Sequence, residues 1–384
     1  MWRFRRVRLL VLSVLLVAAT ITVLVGLRKH APPEAARLLP GADAFAYVNL
    51  KWARKAAILE GVPAVKRSPE YERFVAESGV DFERDLEEAA VSVHYAASCS
   101  TADAGIGAAK PGTPVQRYSA VLTGQIDAAR LGGYFRRFAR STETEQGVEI
   151  YSIPLQEQTL RAAILGPDMV ALSNCDDPEV VRGVVVRSRK RASPFGGPSL
   201  LRTYYKRVPL ASMAWAIAKL DPKGGRGLDV HLPGNPEALG PLSGGVIEPL
   251  ISAPAVVVAS ARMIRAVHLR VEAFTANDEE ARGMTEKLNA GLTLFRLAQT
   301  ETPSGGPDAD VKAFFESLKV DQNRDRAVLT ATMPVGFLKK VFQDPGQSET
   351  GIPGVAAQEA EALPKAVQKA TPKFTPKAAP VQNR

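Results

Sequence analysis

Alternating apolar and polar positions mark the strands of this chain. From Asp43 to Leu50, Phe45 and Tyr47 fall on one side and Ala46, Val48 and Leu50 on the other, which predicts a strand buried on both faces. Ala90 to Tyr95 sets Val91, Val93 and Tyr95 against Ser92 and His94, and Tyr118 to Leu122 gives a further strand after a Gly/Pro/Ser/Thr loop at 98–116. Three short runs follow: Val148 to Ile153, Leu160 to Leu165 and Met169 to Ser173.

Helical spacing and caps separate these strands. Ser68 reads as an N-cap with Pro69 at the first helical position and with Tyr71, Phe74 and Val75 on one side. Asp127 caps a second helix in which Leu131, Tyr134, Phe135 and Phe138 form one stripe, and Pro178 opens a third that runs through Val186.

After residue 200 the pattern restarts. Ser212 to Leu220 resembles the first strand, Ala255 to Met263 the second and Ala266 to Phe274 the third. Asn277 and Glu280 then form a capping box for a long helix with Met284, Leu288, Leu292 and Phe295 along one face. Val311, Phe314, Phe315 and Leu318 give another amphipathic turn, and Arg326 to Met333 is a strand ended by Pro334. The two halves are offset by about 170 residues, which suggests a tandem duplication of one strand-rich unit; an α+β chain of this length can also hold two such runs independently. Hairpin-sized connections favour antiparallel sheets layered with helices over a doubly wound parallel sheet. The expected fold class is therefore α+β.

The N-terminus carries a different signal. Leu9 to Leu27 is an uncharged stretch of 19 residues, and as a helix it rises roughly 28 Å, the thickness of a bilayer core. Arg3, Arg5, Arg6 and Arg8 precede it and only Arg28 and Lys29 follow, so the positive-inside rule puts the N-terminus in the cytoplasm. A cleaved secretory signal is the competing reading, but signal cores run only about 7–15 residues. The expected organisation is a stub and transmembrane anchor at 1–30, two α+β halves of an extracytoplasmic domain at 31–200 and 201–342, and a disordered Pro/Ala/Lys tail at 343–384. In the tail, Lys365, Lys369, Lys373 and Lys377 recur every four residues.

Charge changes the picture less than its total suggests. The net charge is +9, but residues 1–30 hold six basic groups and no acid, and the body between anchor and tail is left at +2. That balance argues against a nucleic-acid partner. The only two cysteines, Cys99 and Cys175, form one disulfide in an oxidising compartment or remain two separate thiols, and neither has metal-ligand spacing.

No catalytic, cofactor-binding or metal-binding residue stands out. His94, His231 and His268 are far apart, and His268 alternates with Arg270 and Glu272 on a polar strand face. Asp321, Asn323 and Asp325 have the first spacings of a calcium loop, but Arg326 replaces the required glycine and the twelfth position lacks a glutamate. Gly105, Gly107 and Lys110 lack the Walker pattern. The run Arg187, Arg189, Lys190 and Arg191 suits the C-terminus of the helix opened by Pro178. The Gly/Pro-rich segment 221–254 keeps apolar residues, among them Val246, Ile247, Leu250 and Ile251, and is the first place to expect a binding surface.

Leu38-Leu39-Pro40 followed by Ala46-Tyr47-Val48-Asn49-Leu50, the Arg67-Ser68-Pro69-Glu70-Tyr71 turn, Phe82-Glu83-Arg84-Asp85-Leu86 and Asp325-Arg326-Ala327-Val328-Leu329-Thr330-Ala331-Thr332 resemble membrane-anchored envelope proteins of acidobacterial type. That resemblance implies a bacterial, extracytoplasmic setting and brings no assigned activity or functional residue. The expected function is non-catalytic binding or scaffolding in the envelope, with a membrane and an envelope protein, lipid or polymer as partners. The alternatives are an envelope hydrolase with dispersed active-site residues and a lipid or lipoprotein carrier.

Overall fold

The computed structural model describes residues 31–55, 67–94, 117–155, 158–190, 193, 196–221, 254–300 and 309–337. All of them fall in one compact unit. The expected anchor at 9–27, the segment at 222–253, His231, Cys99 and the tail lie outside the described residues.

In chain order the elements are α1 (Glu34–Leu38), β1 (Ala44–Asn49), α2 (Leu50–Lys55), α3 (Pro69–Ser78), α4 (Phe82–Asp85), β2 (Leu86–His94), β3 (Arg117–Gly124) and α5 (Ala128–Phe138). They continue with β4 (Ser141–Glu145), β5 (Val148–Leu155), β6 (Gln158–Gly166), β7 (Met169–Ser173), α6 (Glu179–Arg189), α7 (Ser199–Tyr204) and a 3-10 turn at Tyr205–Arg207. The second half holds β8 (Ala214–Leu220), β9 (Ala255–Met263), β10 (Val267–Phe274), α8 (Asp278–Thr300), α9 (Ala309–Ser317), β11 (Lys319–Asn323) and β12 (Arg326–Met333).

The helix starts follow from their caps. Ser68 Oγ accepts from the Tyr71 amide at 3.2 Å, and Asp127 Oδ1 accepts from the Arg130 amide at 3.0 Å. Asn277 Oδ1 accepts from the Glu280 amide at 2.9 Å while Glu280 reaches back to the Ala276 amide at 3.2 Å. Each cap satisfies amides that the first helical turn leaves unpaired.

Among the described residues the strands form one sheet in the order β11-β12-β10-β9-β8-β1-β2-β3-β7-β6-β5-β4, with every neighbouring pair antiparallel. The fold is thus α+β, built on a large antiparallel sheet. The two halves meet where β1 pairs with β8, Ala46 opposite Ala216. Outward from that seam each half runs through three sequential strands, and its last strand returns beside the third: β7 on β3, after α5 and β4 to β6, and β12 on β10, after α8, α9 and β11.

Register decides which face each side chain joins. Phe45, Ile217 and Val258 stand opposite one another across β1, β8 and β9, and pack under α1, α6 and α7 through Leu38, Val181, Val184, Val185 and Leu201. Phe45, Leu38, Leu201 and Ile217 are all fully buried, each contributing about 1.5–3 kcal/mol of transfer free energy. On the opposite face, α5 covers β5, β6 and β7 through Leu131, Phe135, Tyr151, Ala162 and Val170, and α8 covers β10 and β12 through Met284, Ala273 and Ala327.

Several expectations need correction. The first strand is not buried on both faces: Phe45 and Tyr47 are buried, but Ala46 is exposed and Leu50 already belongs to α2. Phe138 leaves the stripe of its helix and is 46% exposed. Residues 321–325, where Arg326 and Thr332 already argue against a calcium loop, form a hairpin, with Asp321 and Asn323 in β11 and Arg324 in the left-handed region at φ 56°. Arg187 is no mere helix-end cation, because its Nε and Nη2 both donate to the Leu38 carbonyl, at 2.9 and 2.8 Å.

Candidate functional site

The helices that cover Phe45 and Ile217 leave a groove on the same sheet face over β9, β10, β12 and β11. It has a volume of about 680 Å³. Its floor follows from register: Lys319 stands opposite Thr330, Thr330 opposite Arg270, and Arg270 opposite Ser260, one transverse row across four strands. The next row is Thr332, His268 and Arg262. Lys206 and Arg207, from the 3-10 turn after α7, form one wall.

Among the described residues, six cationic side chains line this groove, Lys206, Arg207, Arg262, Arg270, Lys319 and Arg326, against one carboxylate, Glu272. Glu272 is only 4% exposed and is already engaged, accepting from Arg270 Nε at 2.7 Å and from Arg326 Nη1 at 2.9 Å. A buried carboxylate needs such partners, because an uncompensated charge there is costly. Arg207 and Arg326 also stack on the Phe274 ring, 5.5 and 5.6 Å from its centroid. Among the described residues, Lys206, Arg262 and Lys319 make no ion pair, so the positive charge of the groove is not cancelled from within.

His268 Nδ1 lies 3.4 Å from Thr332 Oγ1, yet among the described contacts no carboxylate orients the imidazole. A hydroxyl nucleophile needs a base that is itself positioned. Among the described residues the groove gathers cationic side chains, and no carboxylate-positioned base stands beside its hydroxyls.

A second, acidic cleft of about 510 Å³ lies at the far ends of β1, β2 and β3. A register shift between Leu86 and Glu88 lets Glu87 and Glu88 both line it, together with Glu34 and Asp168. Burial holds the Glu88 carboxyl above the usual range, Glu87 adding to the effect, and Asn49 Nδ2 donates to Glu88 Oε1 at 3.3 Å. Burial likewise raises the Tyr47 phenol, with Glu88 next. Among the described residues no cluster of His, Cys, Asp or Glu has the geometry to hold a metal ion.

The other singled-out residues disperse. His94 is buried at the end of β2 and remote in register from His268 on β10, and burial lowers its imidazole to about 4. Cys175 is disulfide-bonded, buried beyond the end of β7, and the chain's one other cysteine is Cys99. Arg262, Lys206 and Lys319 had no signal of their own in the sequence. The available hint was Arg270 and Glu272 sharing a face of a strand whose other face is apolar, since a charged face on an interior strand has to meet something.

No helix among the described residues is long and apolar enough to cross a membrane. No family model and no curated protein matches the chain. Among solved structures, crystal form I of TP0453 aligns with 82% of this chain and 98% of that one, at 10% identity and a TM-score of 0.41. Crystal form III of TP0453 aligns with 81% and 98%, at the same identity and TM-score.

Proposed function

We propose that this chain is a single-pass membrane-anchored protein of the bacterial envelope, with its α+β domain outside the cytoplasm, and that it works by binding, through the cationic groove, rather than by catalysis. The observation that carries the binding reading is, among the described residues, six cations around a single, already paired carboxylate, with no positioned nucleophile beside them. The setting is supported by the uncharged stretch Leu9 to Leu27 and by the disulfide at Cys175, since disulfides persist in oxidising compartments and not in a reducing cytosol. The same reading takes the domain as a tandem duplication, supported by the matching strand order on either side of the β1–β8 seam.

The test is fractionation of cells that make the full chain, followed by maleimide labelling with and without reductant. The chain is expected to stay with the membrane through an alkaline carbonate wash and to take up label only after reduction. Release by the wash, or labelling without reductant, overturns the setting.

Glu88 favours a second reading, an envelope hydrolase centred on the acidic cleft, because burial holds a carboxyl there in its protonated form at higher pH than usual. Hydrolysis that disappears in Glu88→Gln with the fold retained would establish it. No turnover of ester, amide or glycoside substrates by the full chain removes it.

A further inference from the structure

On the reading that the groove is the binding face, we propose that its ligand is a phosphate-bearing anion, held by the fork of Arg270 with Arg262, Lys319 and the Thr330 hydroxyl around it. The carboxylate that pairs with Arg270 also orients it, and its single charge is shared with Arg326. Glu272 takes Arg270 through Nε alone, at 2.7 Å, and is held from its other oxygen by Arg326. Neither Nη of Arg270 donates to a described residue, and the side chain remains 42% exposed. The result is a guanidinium held through Nε, on a side chain that lines the groove, with both Nη groups left to donate, which is how bidentate recognition of a tetrahedral or planar oxyanion is prepared in advance.

The surroundings select among oxyanions. Lys319 and Thr330 lie in the same transverse row as Arg270, and Arg262 lies in the adjacent row opposite His268. Directly opposed side chains across antiparallel strands have Cβ atoms about 4.5–5.5 Å apart, so these long side chains converge on one region. Arg262 is exposed and, like Lys319, has no carboxylate partner among the described residues. A single carboxylate brings one charge to several cations. A phosphate monoester brings about −1.5 to −2 and three strong acceptor oxygens, which suits a fork, two further cations and a hydroxyl donor. The volume of about 680 Å³ exceeds what a lone phosphate fills, so the phosphate is one end of a larger molecule of the size small-molecule sites usually take. It can be a soluble phosphate monoester or the headgroup of a phosphatidic-acid-type lipid, whose phosphate is also a monoester, and the chemistry at Arg270 is the same for both.

The experiment uses the full chain in nanodiscs made only of phosphatidylcholine and measures calorimetric binding of inorganic pyrophosphate, citrate and a short-chain phosphatidic acid. Pyrophosphate is expected to bind, and binding is expected to weaken at least about tenfold in Arg262→Ser and in Arg270→Lys, which keeps the charge but loses the fork. Arg262 is exposed, so that variant leaves the fold intact. Tighter binding of phosphatidic acid than of pyrophosphate assigns the phosphate to a lipid headgroup, and the reverse assigns it to a soluble ester. Citrate binding that Arg262→Ser weakens, without pyrophosphate binding, overturns the phosphate assignment and leaves the groove as an anion site. No binding of any of the three anions overturns both.

Discussion

Arg187 donates from both Nε and Nη2 to the carbonyl of Leu38, a residue 149 positions earlier in the chain. The contact fastens α6 to the end of α1 directly over the central strands, and burial lowers the basicity of the guanidinium. Hydrogen bonds from a charged donor contribute about 1.5–3 kcal/mol, and the aliphatic stem adds packing. Arg187→Ala is expected to lower unfolding free energy by about 2–3 kcal/mol in urea denaturation, with Arg187→Lys recovering part of it. An unchanged midpoint for Arg187→Ala would remove the fastening role.

His94 gives a pH dependence with a defined sign. Burial depresses its imidazole from 6.5 to about 4, opposed by the charge of Asp43, and Arg117 stands opposite it in register. The unfolded chain therefore binds this proton more readily than the folded one. Stability is fully present above pH 6.5 and falls as pH drops towards 4, by roughly 3 kcal/mol in all. Denaturation midpoints measured at intervals across that window should decline in the native chain and decline less in His94→Gln.

Two glycines should respond in opposite directions to alanine. A Cβ on Gly124 would lie 2.2 Å from the Asp85 carbonyl oxygen, a backbone atom that cannot yield, so Gly124→Ala is expected to cost several kcal/mol or prevent folding. Gly133 lies within α5 with nothing within 4 Å of its Cβ position, so Gly133→Ala should stabilise by about 0.5–1 kcal/mol through helix propensity. Thermal melts of the pair decide both.

Reduction should weaken the domain. Cys175 is 1% exposed and disulfide-bonded, and removing a native disulfide costs about 2–5 kcal/mol. Chemical denaturation of the full chain with and without dithiothreitol should show that loss, and Cys175→Ser should show it without reductant.

The elements with local signals were legible in advance. Ser68, Asp127 and the pair Asn277 and Glu280 each cap the helix their residue types suggested, because a cap is settled within four residues. Strand β12 runs over Arg326–Met333, as its alternation indicated. By contrast β4, Ser141–Glu145, carried no hydrophobic pattern, since it is an edge strand with both faces largely in water. The expected two-sided burial of β1 failed because Ala46 stays exposed, and a strand cannot record which of its faces the helices will reach.

What the sequence by itself determined is the α+β class, the period of the strands and helices with an apolar face, the helix starts at Ser68, Asp127 and Asn277, and the polar face that Arg270 and Glu272 share. These rest on interactions between residues a few positions apart. Tertiary structure alone decided that β1 pairs with β8 to join the halves into one sheet, that Lys319, Thr330, Arg270 and Ser260 form one row, and that Glu272 is occupied by two arginines. Register and face are set by packing between segments distant in the chain, so a body with a net charge of only +2 can gather six cations into one groove without any local pattern recording it.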